Sequence, residues 1–366
     1  MVFEHLLADL KALFFPAREA ADALPVMDGP WTPNRALDEA PELGAPLPGS
    51  DDLASAGDGA VFISAGHTVW RCAGPQFAQR EAYAELPAAV GALLAVGPAL
   101  YAAQDDVGVV RLDEAGRETA KLTTVDGKPL RCVTALAALA DGRIVIADGS
   151  AHHPAAEWVH DLMEKRASGR LIIARADLSQ ASVIARDLAW PAGLLVDARG
   201  QITFSEAWRH RLCRLSPDGK PEVLTRNLPG YPGRLADDGH GGAWLAVFAA
   251  RTHLVELVLR EEKFRREMLA TIDPRYWIAP SLQSSGHYLE PLQGGALKKL
   301  GVIKPWAPPR SYGLVAQLTA DGECSASWHS RAGGVHHGIS AAREIDGHLL
   351  ALSKGYGRVL KLEPRA

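Results

Sequence analysis

A chain of 366 residues that is 47% hydrophobic has enough apolar side chains to bury a large core. Its net charge of −4, with Lys and Arg scattered along the chain, gives no basis for a nucleic-acid partner or an anionic membrane surface. The four cysteines, Cys72, Cys132, Cys213 and Cys324, form no CxxC pair and no zinc spacing. This fits isolated reduced thiols in small buried positions and a cytoplasmic setting.

The chain opens on MVFEHLLADLKALFFPAREAADAL, in which Leu6, Leu7, Leu10, Leu13 and Phe14 share one helical face. Glu4, Asp9 and Lys11 interrupt the apolar run and Pro16 ends it, so it reads as a short docked helix and not as a membrane span. A peripheral membrane contact is the alternative. No integral membrane segment is expected, and the oligomeric state is left open.

Six hairpins follow. Their glycine turns fall at Asp58-Gly59, Gly97-Pro98, Asp141-Gly142, Arg199-Gly200, Gly241-Gly242 and Asp346-Gly347. Each turn is flanked by runs rich in β-branched, aromatic or Leu residues, as strands require. Third and fourth strands follow most hairpins, such as VGVVRLD and RETAKLT. A repeat of this size with four strands and no helical crossover predicts an all-β chain, a six-bladed β-propeller with four-stranded blades. The propeller is expected over residues 33–366, after a helix and linker over 1–32. Two long inserts, about 151–168 and 260–310, break the period and are expected to cap a pocket with helix and loop.

Two stretches carry a family likeness. One runs from ASGRLIIARAD through WPAGLLVDARGQITFSEAWRHRLCRL, and the other is NLPGYPGRLADDGHGGAWLAVF. With PNRAL near the start and EIDGHLLALS near the end, the chain resembles strictosidine synthase-like proteins, in the wider group of gluconolactonases and paraoxonases. The resemblance implies a propeller with a central pocket at one end. It implies that first strands begin at the pocket and second strands return to it. It also implies calcium on the axis, held by carboxylates and Asn amides.

Here the axial pattern departs from that family. Asp51 and Asp52 are kept as metal-ligand candidates, but Thr134, Ala192 and the Gly233-Arg234 pair stand where Asn or Asp would be. No resident cofactor is expected on this ligand count. Calcium, or a transition metal held by histidines, is the alternative. Arg234 reads as a buried partner of Asp51 or Asp52, or as the binder of a ligand's anionic group. The acid/base Glu of the strictosidine synthase reaction would fall near Ser340, where there is no carboxylate.

The same topology sends many histidines toward the pocket. His152 and His153 follow a second strand, and His336 and His337 precede the last first strand. Neighbouring strand residues face opposite ways, so one histidine of each pair is expected to face the pocket. With Glu206 the four are the catalytic candidates, because imidazole titrates near neutrality. Solvent-exposed or backbone-bonded histidines are the plain alternative. Trp190, Trp208, Tyr231, Tyr356, Thr134 and Arg234 are the candidates for binding a small-molecule substrate. Together these readings predict a lactone- or ester-hydrolysing enzyme. The alternatives are a metal-free condensation, isomerisation or carbon–carbon cleavage, and a ligand-binding propeller without catalysis.

Overall fold

The computed structural model describes residues 24–284, 298–299, 302–303 and 310–363. The N-terminal helix expected over the first residues lies outside them. Six four-stranded antiparallel sheets are arranged as propeller blades. Their first strands are Ser50–Ser55, Val90–Val96, Val133–Ala138, Pro191–Val196, Gly230–Asp237 and Ile339–Ile345, defining blades 1 to 6.

All six glycine turns join the first and second strands of a blade. In two of them Gly59 and Gly142 sit at φ of 83° and 85°, where a side chain would be strained. Blade 6 takes its outer strand from the other end of the chain. Glu42 and Leu43 pair antiparallel with Leu360 and Val359, closing the ring. This leaves no open gap between the first and last blades.

Both faces of each blade pack against neighbours, so the core is divided among blade interfaces. Leu53, Ile63 and Leu352 fill the interface of blades 6 and 1, and Leu93, Leu100 and Leu112 that of blades 1 and 2. Ahead of the ring, Asn34 of the PNRAL stretch donates to Ser327 O and accepts from His329 N, which fastens this segment to blade 5.

The inserts leave from the ends of second strands. The first carries a helix over Trp158–Glu164. The second begins about ten residues before the expected 260, directly after the strand that ends at Ala250, and carries helices over His253–Arg260 and Glu262–Thr271. Leu162 and Met163 of the first insert pack with Val255, Leu259 and Met268 of the second. The two inserts therefore form one cap core, and Tyr231 of blade 5 is part of it.

Candidate functional site

First strands begin on the axis, so their opening residues meet there. Asp51, Thr134, Ala192, Arg234 and Ser340, from five blades, line a cavity of about 90 Å³. The Pro- and Gly-rich turn of blade 5 lets Arg234 reach this point. A Cβ on Gly193 would sit 2.2 Å from Gly233 O and 2.9 Å from Arg234 Cα, so a bare glycine is required for the strands to approach. Arg234 Nη2 lies 2.7 Å from Asp51 Oδ1, and its Nε lies 3.3 Å from Asp52 Oδ2. The buried ion pair read from the sequence is present.

Lys354 also binds the Asp51 carboxylate, through Oδ2. Burial alone would raise the Asp51 carboxyl, but the charges of Lys354 and Arg234 overcome this and hold it well below the usual carboxylate range. On the far side of the cavity Trp190, Trp158 and Phe248 make an apolar wall. Trp190 has φ of 58° and stacks on Trp208 with ring centroids 4.9 Å apart.

The cavity joins a cleft of about 780 Å³ under the inserts, and Trp158, Leu282 and Lys354 line both. Tyr356, His160, Arg275 and Arg310 line the cleft alone. A larger hollow of about 850 Å³ lies at the opposite end, between the turns of blades 4 and 5. It is bounded by hairpin turns such as Asp197–Gly200, far from the convergent charges, so the axial cavity is the candidate site.

The structure does not gather the four candidate histidines at this cavity. His152 is exposed. His153 bonds Glu157 and Glu164 at 2.9 and 3.0 Å and anchors the cap helix. His336 is buried with Nε2 3.6 Å from Glu42 of the closing strand. His337 is bonded to Ser311 Oγ at 2.8 Å and Arg331 O at 2.9 Å. The expectation that one of each pair faces the pocket assumed strand alternation. Both pairs lie in irregular backbone, where that rule does not apply.

Glu206 is also displaced from the chemistry. It is fully buried, accepts from Ala189 N at 2.7 Å and from Arg211 Nε at 2.6 Å, and pairs with Arg209. Trp208 backs the Trp190 wall, and its indole N–H is held by Asp161. Tyr231 is packed beneath the cap against His210 and Phe248 and does not line the cavity. Thr134 faces the cavity, with its hydroxyl spent on Pro191 O.

Lys354, Trp158, Leu282 and Phe248 line the site and went unread in the sequence. Lys354 follows the second strand HLLALS directly, so the same rule that nominated Tyr356 would have found it. Trp158 and Leu282 belong to the inserts, and only their packing brings them to the axis.

No family model matches the chain. An adipocyte plasma membrane-associated protein of Salmo salar is 25% identical over 348 residues, covering 89% of this chain and 78% of its own. Protein strictosidine synthase-like 6 of Arabidopsis thaliana is 24% identical over 186 residues, 50% of each chain. The chain is similar to strictosidine synthase-like proteins.

Two solved propellers extend the comparison. Regucalcin of Agrobacterium tumefaciens, a calcium-binding protein, superposes with a TM-score of 0.54 at 14% identity, covering 91% of this chain and 95% of its own. A gluconolactonase of Xanthomonas campestris gives 0.56 at 12% identity, covering 87% and 86%. At these identities the likeness shows the fold.

The calcium of the regucalcin neighbour does not suit this axis. Asp51 is already neutralised by two cations, and Thr134 and Ala192 offer no carboxylate or amide oxygen from their side chains. Among the described residues no cluster of three or more His, Cys, Asp or Glu could hold a metal. Among those residues, too, no helix is long and apolar enough to cross a membrane.

Proposed function

We propose that the protein is a small-molecule hydrolase that opens a lactone or ester at the axial cavity. The observation that carries this reading is the Lys354–Asp51 pair, set where the cleft narrows into the cavity. An apolar cavity of about 150 Å³ accommodates benzene, so one of about 90 Å³ suits a smaller group, an acyl head or a single small lactone ring. The body of the substrate lies in the cleft against Trp158 and Tyr356.

Lys354 donates a hydrogen bond to the substrate carbonyl oxygen and stabilises the negative charge that grows there as water adds. Asp51, the one carboxylate among the described lining residues, takes the proton from that water. Lys354 and Arg234 together hold its basicity down; when the ammonium turns to the substrate one of these two cations leaves it, and Arg234 stays. The tetrahedral intermediate then collapses, the ring or ester C–O bond breaks, and Asp51 returns the proton to the leaving alkoxide. Solved propellers named gluconolactonase support the reaction class by analogy of fold.

The test is turnover of a panel of aliphatic and aromatic lactones and aryl esters. Wild-type protein is expected to act above the buffer rate, and Lys354→Met to lose roughly 100- to 1,000-fold in kcat/KM. No turnover across the panel, with a metabolite retained in native mass spectrometry, would favour a binding propeller.

The primary amine of Lys354 favours one second reading, a metal-free condensation, isomerisation or carbon–carbon cleavage through an imine. Borohydride trapping of a carbonyl compound on Lys354, detected by mass, distinguishes it from hydrolysis.

A further inference from the structure

Arg234 makes more than an ion pair. Its Nη1 donates to the main-chain carbonyl oxygens of Asp51 at 2.7 Å and Ser340 at 3.2 Å, and its Nε donates to that of Thr134 at 3.1 Å. With Asp51 Oδ1 and Asp52 Oδ2, five oxygens from blades 1, 3 and 6 converge on a guanidinium from blade 5. A guanidinium has only donors, and this cage presents only acceptors to it. A cage of carbonyl and carboxylate oxygens is also what a hard divalent cation requires, about six to eight of them. The two cannot share the space, because a divalent ion among these oxygens would meet a fixed positive charge at contact distance.

We infer that the Arg234 guanidinium is the resident axial cation of this propeller, and that it occupies what would otherwise be a divalent-cation site built from its five oxygen partners. This role shares Asp51 with the reaction proposed above but concerns how the axis is held, and it is read out in stability and ion uptake, not in turnover.

Three facts distinguish this role from ordinary packing. The side chain of Arg234 is 11% exposed and that of Asp52 is 1% exposed, so the two charges pair out of water, with Arg343 Nη2 a further neighbour 3.8 Å from Asp52 Oδ1. The three carbonyls belong to first strands of separate blades, which no backbone ladder connects on the axis. Asp52 Oδ2 also accepts from Leu93 N at 2.9 Å, which brings blade 2 into the same network. One cationic group thus links five of the six blades.

The experiment is thermal unfolding and equilibrium dialysis of the full chain with about 5 mM calcium chloride, and with excess chelator. Wild-type protein is expected to melt at the same temperature in both and to take up no axial calcium. Arg234→Asn removes the charge. It is expected to melt roughly 5–15 °C lower in chelator, to recover at least half of that loss with calcium, and to bind one ion per chain. Arg234→Lys keeps a positive charge with fewer donors and is expected to be destabilised yet indifferent to calcium.

The inference is overturned if chelator lowers the wild-type melting temperature, if the wild type binds axial calcium, or if Arg234→Asn folds and ignores the ion. Should Arg234→Asn fail to fold in chelator, folding that is restored by calcium supports the inference, and failure in both conditions counts against it. The wild-type and Arg234→Lys measurements stand either way.

Discussion

Trp208 donates its indole N–H to Asp161 Oδ1 over 2.7 Å, joining blade 4 to the cap helix. The Asp161 carboxyl is buried, which raises its pKa, and it accepts a second bond from Ser150 Oγ at 2.5 Å. Trp208 also stacks on both Trp190 and Trp158, the aromatic wall of the cavity. Trp208→Phe keeps an aromatic ring but removes the donor from a buried carboxylate. A loss of about 1–3 kcal/mol is expected, or roughly 2–10 °C in melting temperature. Because Trp158 opens the cap helix and shifts with it, KM for a cleft-bound substrate should rise while kcat changes less. Steady-state kinetics beside a melting curve check both.

The cap helix has a second tie, at His153. Burial pulls its imidazole down, but the bonds to Glu157 and Glu164 outweigh this and hold it above its ordinary value of 6.5. A histidine with a raised folded pKa stabilises fully below 6.5, and the benefit is lost as pH rises through the raised value. The helix over Trp158–Glu164 is therefore expected to open more readily at about pH 8 than at about pH 6. Amide exchange of this segment, normalised to intrinsic rates, measures it. His153→Gln should flatten the difference.

The repeat makes part of the site legible in the sequence, and the inserts hide the rest. Asp51, Thr134 and Arg234 stand at the axis because first strands begin there, and that follows from the repeat. The blade count follows from six glycine turns with alternating apolar flanks. The closing strand of Glu42 and Leu43 is two residues long, too short to show a period. The paired histidines misled because neighbour alternation was extended into irregular backbone. Trp158 depends on how one insert packs on the other, through contacts such as Leu162 with Val255, which no local pattern encodes.

Three buried histidines predict acid lability. Burial, then the charge of Arg251, pushes His210 down to about 3. Burial also lowers His336 and His337. In the unfolded chain each would take a proton below its ordinary 6.5, so their stabilising effect is present above 6.5 and lost as pH falls toward the folded values. Each can contribute up to about 1.4 kcal/mol per pH unit. The melting temperature is expected to fall between about pH 6.5 and pH 4.5, before most carboxylates titrate. His210→Gln keeps a donor for Gly230 O and should make that slope shallower. A pH series of melting curves for the two proteins decides it.

Glu206 and Lys354 make a final pair, since one is prominent in the sequence and the other in the structure. Glu206 is enclosed by Arg209, Arg211 and Ala189 N, and no atom of it lines the cavity. Glu206→Gln keeps an acceptor for Ala189 N but leaves two arginines without their counter-charge. It is expected to cost about 2–3 kcal/mol of stability, with kcat within about twofold of wild type once the folded fraction is counted. Lys354 has the opposite profile. Its side chain is 32% exposed, and Asp51 keeps Arg234 when Lys354 is removed. Lys354→Met is therefore expected to melt within a few degrees of wild type, yet to lose most turnover. If Glu206→Gln loses kcat with its stability intact, the carboxylate that matters is in blade 4 and the axial reading fails. If Lys354→Met retains full turnover, the ammonium is a structural partner of Asp51 alone.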